Sequence, residues 1–186
     1  MKLLKFIMVV MFFIPILSSC MIPTTNRWKE EVQLNNGSII WVERTIKGWK
    51  FLNMEGNWGY DTKSMELKVI EAINYPKPPI WSTKDDWYPL ILDRDENGIW
   101  YIIATTGKNE LRENRKFLYA QFKAIDGKWK EVEIDKNLDK RDANLEPGFE
   151  DGKMPNKLFL RQKKEHPIVS TLPDRYYYID LNVHSY

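Results

Sequence analysis

Alternation of apolar and polar residues with a period of two is the feature that most restricts how this chain folds. In the segment WKEEVQL, every second residue falls on the same face of an extended strand: Trp28, Glu30, Val32 and Leu34. The next four residues, NNGS, tolerate the positive φ angles of a tight turn, and IIWVERTI follows as a return strand. The sequence therefore predicts a β-hairpin over residues 28–46.

Further strand-like segments follow through the rest of the chain. They lie at 66–73, 90–93, 99–105, 117–125, 129–135, 157–162 and 175–183. Asp126-Gly127 is expected to join two of them as a second hairpin. The segment IWYIIAT is apolar on both faces, which predicts a central strand that is covered on both sides.

A helical period of 3.6 is not sustained anywhere outside the N-terminal segment, and residues 137–147 are the one place where a short helix is expected. The fold class predicted is therefore mostly β, with antiparallel sheets and at most one short helix. Two arrangements satisfy this pattern, a small sandwich of two sheets and a partly closed, barrel-like sheet.

The N-terminal segment has a different composition from the rest of the chain. Lys2 and Lys5 precede an apolar run over residues 6–17 that only Pro15 interrupts. This is the plan of a secretory signal peptide, and the run is shorter than the roughly 20 residues of a membrane span. An uncleaved hydrophobic anchor or a buried helix is the alternative interpretation.

The end of this segment, Leu17-Ser18-Ser19-Cys20, resembles the bacterial lipobox. The resemblance implies that the Cys20 sulfur receives a diacylglyceryl group, that the bond before Cys20 is cut, and that the new amino group is acylated. Cys20 is the only cysteine of the chain, so it has no partner for an internal disulfide. Two or three acyl chains would give a permanent membrane anchor, since each buried methylene contributes about 0.8 kcal/mol.

The resemblance divides the chain into a signal peptide at 1–19, a short tether at 20–27 and a single β-rich domain at 28–186. The full chain has 28 basic and 26 acidic residues, but Lys2 and Lys5 belong to the signal. The remaining chain is formally neutral, which argues against a nucleic-acid partner. Met21 stands where inner-membrane lipoproteins usually carry Asp, so the outer membrane, with the domain in the periplasm, is expected if the cell has two membranes.

Asp93-x-Asp95-x-Asn97-Gly98 matches the opening of an EF-hand calcium loop. The twelfth position of that loop should be a bidentate glutamate, but here it is Ala104 within a strand-like segment. We therefore expect a hairpin loop that needs no ion, with Gly98 at the positive-φ position. Calcium, held by Asp93, Asp95 and Asn97, is the alternative, and no other cofactor is expected.

Trp81 and Trp87 lie close to Asp85 and Asp86 in the segment PPIWSTKDDWYPL, which has the composition of a loop. Aromatic rings beside carboxylates often hold sugars, so these four residues form a candidate ligand site with at least one exposed ring. The alternative is that both rings complete the β core, as we expect for Trp100.

Catalysis has little support in the sequence. The chain has two histidines, too few for a three-ligand zinc site, and no Gly-x-Ser-x-Gly elbow or glycine-rich phosphate loop. The function expected is a lipid-anchored envelope protein with a binding or structural domain that contacts another protein or a polysaccharide, in preference to an enzyme. The alternative is a cell-wall enzyme resembling a glycoside hydrolase, with carboxylates gathered by the fold.

Overall fold

The computed structural model describes residues 21–52, 58–83, 87–106, 118–146, 155–165 and 176–181. Of Trp58, Lys164 and Glu165, only the backbone is described. Within these ranges the chain is mostly β and forms two sheets, which confirms the fold class predicted from the sequence. The sheets pack as a small sandwich, and neither is closed into a barrel.

Among the described residues, the first sheet contains five strands in the order β4-β3-β2-β1-β9. Their bounds are β1 Ile22–Gln33, β2 Ile39–Leu52, β3 Trp58–Glu71, β4 Trp81–Thr83 and β9 Lys157–Leu158. All neighbours are antiparallel except β9, which runs parallel to β1. The predicted first hairpin is confirmed: β1 and β2 pair in register, and Gly37 takes a φ of 83° in the turn between them.

In the part of the chain that the structure describes, the second sheet contains four antiparallel strands in chain order, β5-β6-β7-β8. Their bounds are β5 Trp87–Arg94, β6 Trp100–Thr106, β7 Tyr119–Ile125 and β8 Lys128–Val132. The predicted Asp126-Gly127 hairpin joins β7 to β8, and both of its residues have positive φ. This is the combination that a two-residue turn between twisted strands requires.

The main core lies between the two sheets. Val42, Met65 and Leu67 of the first sheet face Leu92 and Ile102 of the second, and all five side chains are buried. Apolar residues on one face of each sheet are removed from water by the other sheet, which is the usual origin of sandwich stability.

A second core covers the opposite face of the second sheet. Tyr101 and Ile103 of β6 pack there against Leu138, which belongs to a 3-10 turn at Lys136–Leu138, and against Ile179 of the segment 176–181. Strand β6 is therefore buried on both faces, as its double apolar pattern predicts. Trp100 is buried as expected, and its indole N–H donates to the Pro76 carbonyl at 2.8 Å.

The strand predicted at 157–162 is wrong beyond Leu158, because a short α-helix, α1, occupies Leu160–Glu165. Two side chains accept hydrogen bonds from the first N–H groups of this turn: Gln162 Oε1 from Phe159 and Glu31 Oε2 from Leu160, both at 2.9 Å. Such capping favours a helix over an extended chain. The helix expected within 137–147 is limited to the 3-10 turn.

The strand predicted at 175–183 is also not formed over residues 176–181. This segment makes one isolated bridge, between Tyr178 and Asp142, and its backbone exchanges hydrogen bonds with the backbone of the irregular segment 140–143. Ile179 and Leu181 are buried, and so is Tyr176, whereas Tyr177, which would share a face with Ile179 in an extended strand, is only partly buried. Packing over the second sheet replaces strand pairing.

The tether expected at 20–27 is a strand from Ile22 onwards. Residues 22–27 pair with Thr45–Lys50 of β2, which pairs in turn with β3. The first sheet therefore continues as three strands past the end of the core. Gly59 permits this arrangement, because a Cβ there would lie 2.5 Å from the Phe51 ring that covers it.

Candidate functional site

A cleft of about 700 Å³ opens where the β1–β2 turn, the segment 141–146 and α1 meet. The buried side chains of Leu34 and Leu145 contribute to its lining. Asn35, Asp142 and Lys163 contribute polar groups from the three elements. The cleft lies at the end of β1 opposite to Ile22, because Gln33 and the turn after it form one wall.

Asn144 positions one wall of the cleft by joining the two sheets. Its side-chain nitrogen donates to the carbonyls of Gln33 in β1 and Leu92 in β5, at 3.1 and 2.9 Å. Its side-chain oxygen accepts from the Leu92 N–H at 3.0 Å. One amide thus satisfies backbone groups at the edges of both sheets, which fixes the distance between the turn and the second sheet.

A buried ion cluster lies behind the Lys163 wall. Glu30 is fully buried and contacts Arg44 at 3.1 Å and the Lys163 ammonium group. The Glu146 N–H donates to the same carboxylate at 2.9 Å, and Arg44 donates to the Glu146 carbonyl. We call Glu30, Arg44 and Lys163 the Glu30 cluster. The cluster links β1, β2 and α1, and through the Glu146 backbone it also holds segment 141–146.

Burial alone would raise the pKa of Glu30, because removing water disfavours the charged carboxylate. The positive charges of Lys163 and Arg44, together with hydrogen bonds from Lys163 and from the Glu146 N–H, outweigh that effect. The pKa of Glu30 is consequently lower than its ordinary value, and the side chain is ionised at neutral pH.

A second buried carboxylate, Asp93, lies near the opposite wall of the cleft. Its oxygens accept from the backbone N–H groups of Asn35 and Arg94, at 2.9 and 2.7 Å, and from the Arg141 guanidinium. Arg141 also donates to the Tyr101 hydroxyl. Asp93 therefore fixes the β1–β2 turn against the second sheet, and Arg141 lines the cleft while neutralising it.

These contacts suit binding better than acid–base chemistry. Glu30 and Asp93 are both buried and both held by cations, so neither is available to donate a proton to a substrate. The cleft is lined by polar residues whose side chains can exchange hydrogen bonds with a polar ligand. Asp142, which is exposed, is one such group.

The Asp93–Gly98 motif forms the turn between β5 and β6. Asp95 accepts from the N–H groups of Asn97 and Ile99 and pairs with Lys123 at 2.7 Å, while Gly98 has a φ of 76°. The carboxylates of Asp93 and Asp95 are thus engaged with different cations. Across the described ranges, no group of three or more His, Cys, Asp or Glu side chains is placed to hold a metal ion. The choice between hairpin and calcium loop stays a prediction.

The expectation of an exposed ring at Trp81 or Trp87 is wrong. Trp81 is 2% exposed and Trp87 is 6% exposed, and both rings make edge contacts with Phe122 in the main core. Prolines and polar neighbours suggested a loop, but Trp81 begins β4 and Trp87 begins β5. Asp85, Asp86, Cys20 and both histidines lie outside the described residues.

The sequence contained a signal for the Glu30 cluster that residue-type motifs do not capture. Alternation places Glu30 on the same face as three apolar residues, and the same reasoning places Arg44 on the inner face of β2. The hairpin register sets Trp28 opposite Arg44 and Glu30 opposite Val42, so the two charges are diagonal neighbours. Lys163 comes from a distant segment and had no such signal.

Comparison of the chain with protein-family models, with curated proteins and with solved structures finds no match. A proposal for the function of the domain therefore rests on the geometry of the cleft.

Replacing Glu30 by Gln should strongly destabilise the domain, because the buried Arg44 and the partly buried Lys163 would lose their counter-charge. Breaking a buried ion pair from one side typically costs about 3–5 kcal/mol. The matched control is Glu66→Gln, which breaks the pair with Lys47, where the side chains are 40% and 51% exposed. An exposed pair contributes about 0–1 kcal/mol. Equal losses in urea unfolding of the two variants would contradict the structural role.

The same variant should change how stability depends on pH. Since the pKa of Glu30 is lowered by folding, its contribution is complete above the unfolded value of about 4.3 and is lost as pH falls through the folded pKa. The wild-type free energy of unfolding should therefore fall more steeply than that of Glu30→Gln below that value. Parallel curves from pH 7 to pH 3 would contradict this assignment.

Calcium at millimolar concentration should leave the melting temperature unchanged, because Asp93 and Asp95 already have cationic partners. A ligand present at a hundredfold excess over its dissociation constant stabilises the native state by about 2.7 kcal/mol, which melting curves detect easily. A rise of several degrees with calcium but not magnesium, abolished by Asp95→Asn, would support the calcium loop instead.

Proposed function

We propose that this chain is a bacterial lipoprotein of the cell envelope whose β domain binds a polar partner through the cleft. Acyl chains on Cys20 would hold it in a membrane after removal of residues 1–19. Met21 favours the outer membrane and a periplasmic domain in a cell with two membranes. The proposed partner is an envelope protein or a polysaccharide, and no nucleic-acid partner is proposed.

The observation that carries the anchor proposal is the position of the lipobox-like segment relative to the fold. Leu17-Ser18-Ser19-Cys20 ends two residues before β1 begins at Ile22. Cleavage before Cys20 would therefore leave the first strand and its pairing with β2 intact. Among the described residues, no helix has the length and apolar composition needed to cross a bilayer.

Binding through the cleft is supported by its composition. Glu30 and Asp93, two buried carboxylates beside it, are paired with Arg44, Lys163 and Arg141, so a ligand does not have to compensate the charge of either one. Asn35 and Asp142, which are both exposed, line the cleft. A volume of about 700 Å³ accommodates a short polar segment of a larger partner.

The alternative of a glycoside hydrolase-like enzyme has less support in the described residues. That chemistry requires an acid whose pKa is raised beside a second carboxylate that stays ionised. The pKa of Glu30 is shifted downwards, and the carboxylate is fully buried. Binding is therefore proposed ahead of catalysis.

Metabolic labelling with a fatty acid tests the anchor. The wild-type chain should take up label and lose residues 1–19, while Cys20→Ser should accumulate as an unlabelled precursor. Cys20 is the only cysteine, so no other thiol can carry the label. Label that persists on the serine variant, or that is absent from the wild type, would refute the lipoprotein proposal.

Site-specific photocrosslinking in intact cells tests the cleft. A photoreactive residue in place of Asp142, at the cleft, should give a discrete adduct. The control is the same residue in place of Lys128, an exposed position on the edge strand β8. A protein partner would give one sharp band, and a polysaccharide would give a smear that collapses with a muramidase. Equal adducts at both positions, or none at Asp142, would oppose a binding role.

A further inference from the structure

Apolar side chains remain exposed at the end of the first sheet where β1 begins. Ile22 is 46% exposed and Leu52 is 56% exposed, and Met21 and Tyr60 are also exposed. The register places Ile22 opposite Lys50 and Lys50 opposite Tyr60, so these three side chains form one row on the same face of the sheet. Leu52, two residues beyond Lys50, belongs to the same face.

We propose that this end of the sheet lies in the headgroup region of the membrane that holds the acyl chains. We call Met21, Ile22, Lys50, Leu52 and Tyr60 the sheet tip. The inference rests on the proposed lipid anchor at Cys20 and goes beyond it, because it assigns a second, non-covalent contact between the protein and the lipid surface.

The short distance along the chain from Cys20 to Ile22 identifies the membrane as the partner of this surface. Two residues span at most about 7 Å when fully extended, so the Ile22 backbone cannot lie farther than that from the backbone of Cys20. If the Cys20 acyl chains are in the bilayer, Ile22 is held at its surface. Interfacial protein segments typically enter about 5–10 Å into the headgroup and acyl boundary, which is within reach of the Ile22 and Leu52 side chains.

The chemistry of the sheet tip agrees with this location. Ile22 and Leu52 provide apolar surface, and Tyr60 combines an apolar ring with a polar hydroxyl, which suits a site that is apolar at one end and wet at the other. Lys50 is exposed beside them, and its long side chain can lie along apolar surface while its charge reaches lipid phosphates.

The structure also explains why Leu52 projects while its neighbour does not. Phe51 lies on the other face of β2 and packs directly over Gly59 of β3, so that it is partly buried by the sheet itself. Leu52 is more exposed than any other large apolar residue of the first three strands among the described residues. A site that projects from a paired, three-stranded sheet is held in a defined position.

Depth-dependent fluorescence quenching tests the inference on the full, lipidated protein. Acylated Cys20 offers no free thiol, so Leu52→Cys supplies a unique site for an environment-sensitive dye. Ile39→Cys is the matched control, because Ile39 is 51% exposed and pairs with Gln33 at the opposite end of β1. Each protein is reconstituted in vesicles of phosphatidylethanolamine and phosphatidylglycerol, with a nitroxide on the lipid or a soluble quencher outside.

The fluorescence emission of the dye at position 52 should shift to shorter wavelength and should be quenched by the lipid nitroxide. The dye at position 39 should respond to the soluble quencher alone. If the protein floats with the vesicles but the dye at position 52 responds to the soluble quencher alone, the sheet-tip contact is refuted and the anchor proposal is unaffected. Protection from both quenchers indicates a protein partner or a second copy and also refutes it. Protein that carries no acyl chain and does not float refutes the anchor and the tip together.

Discussion

The fully buried carboxylate of Glu30 is the constraint on which the arrangement of the cleft depends. An unpaired charge in the interior of a protein costs several kcal/mol, so the fold has to bring cations to it. Arg44 comes from the neighbouring strand, Lys163 comes from α1, and the Glu146 N–H comes from segment 141–146, which lines the cleft. These groups belong to elements that are far apart in sequence, and the carboxylate satisfies them at one point. The position of α1 against β1 is therefore set by charge and by the hydrogen bond from Leu160 to Glu31.

Asp93 performs a similar task on the other side of the cleft. It accepts from the Asn35 N–H of the β1–β2 turn and from Arg141, so the turn of the first sheet is attached to the second. With Asn144 joining Gln33 to Leu92, the cleft is bounded by polar contacts between the sheets and not by apolar packing alone. Buried polar contacts of this kind are costly when incomplete, and they define one arrangement when complete. A cleft with a fixed shape is the consequence.

The sequence predicted local structure well and long-range structure poorly, for a physical reason. Period-two patterns and turn residues act within a hairpin, so the first hairpin, the Asp126-Gly127 hairpin and the doubly buried β6 are all as predicted. Residues 157–162 and 176–181 depend on distant partners, such as Glu31 capping α1 and Arg141 pairing with Ile179, and their strand-like composition was misleading. For the same reason Trp81 and Trp87 were expected in a loop, since the Phe122 ring that they contact lies on β7. Among the site residues, the proximity of Glu30 and Arg44 could be predicted from the hairpin register. The positions of Lys163, Asn144 and Arg141 could not be predicted.

Strand β1 relates the two proposed contacts to each other. Ile22 begins it at the sheet tip, and Gln33 ends it at the wall of the cleft. At about 3.4 Å per residue, the eleven steps between them span roughly 37 Å, less any shortening by twist. In the proposed orientation the cleft faces away from the bilayer, so its partner is met in the aqueous space and not at the lipid surface. The Glu30 cluster lies between the two ends of the same strand, where it holds β1 to β2 and α1. Pairing along the whole length of β1 would thus keep the cleft at a set distance from the proposed anchor, a task that a flexible tether over residues 22–27 could not perform.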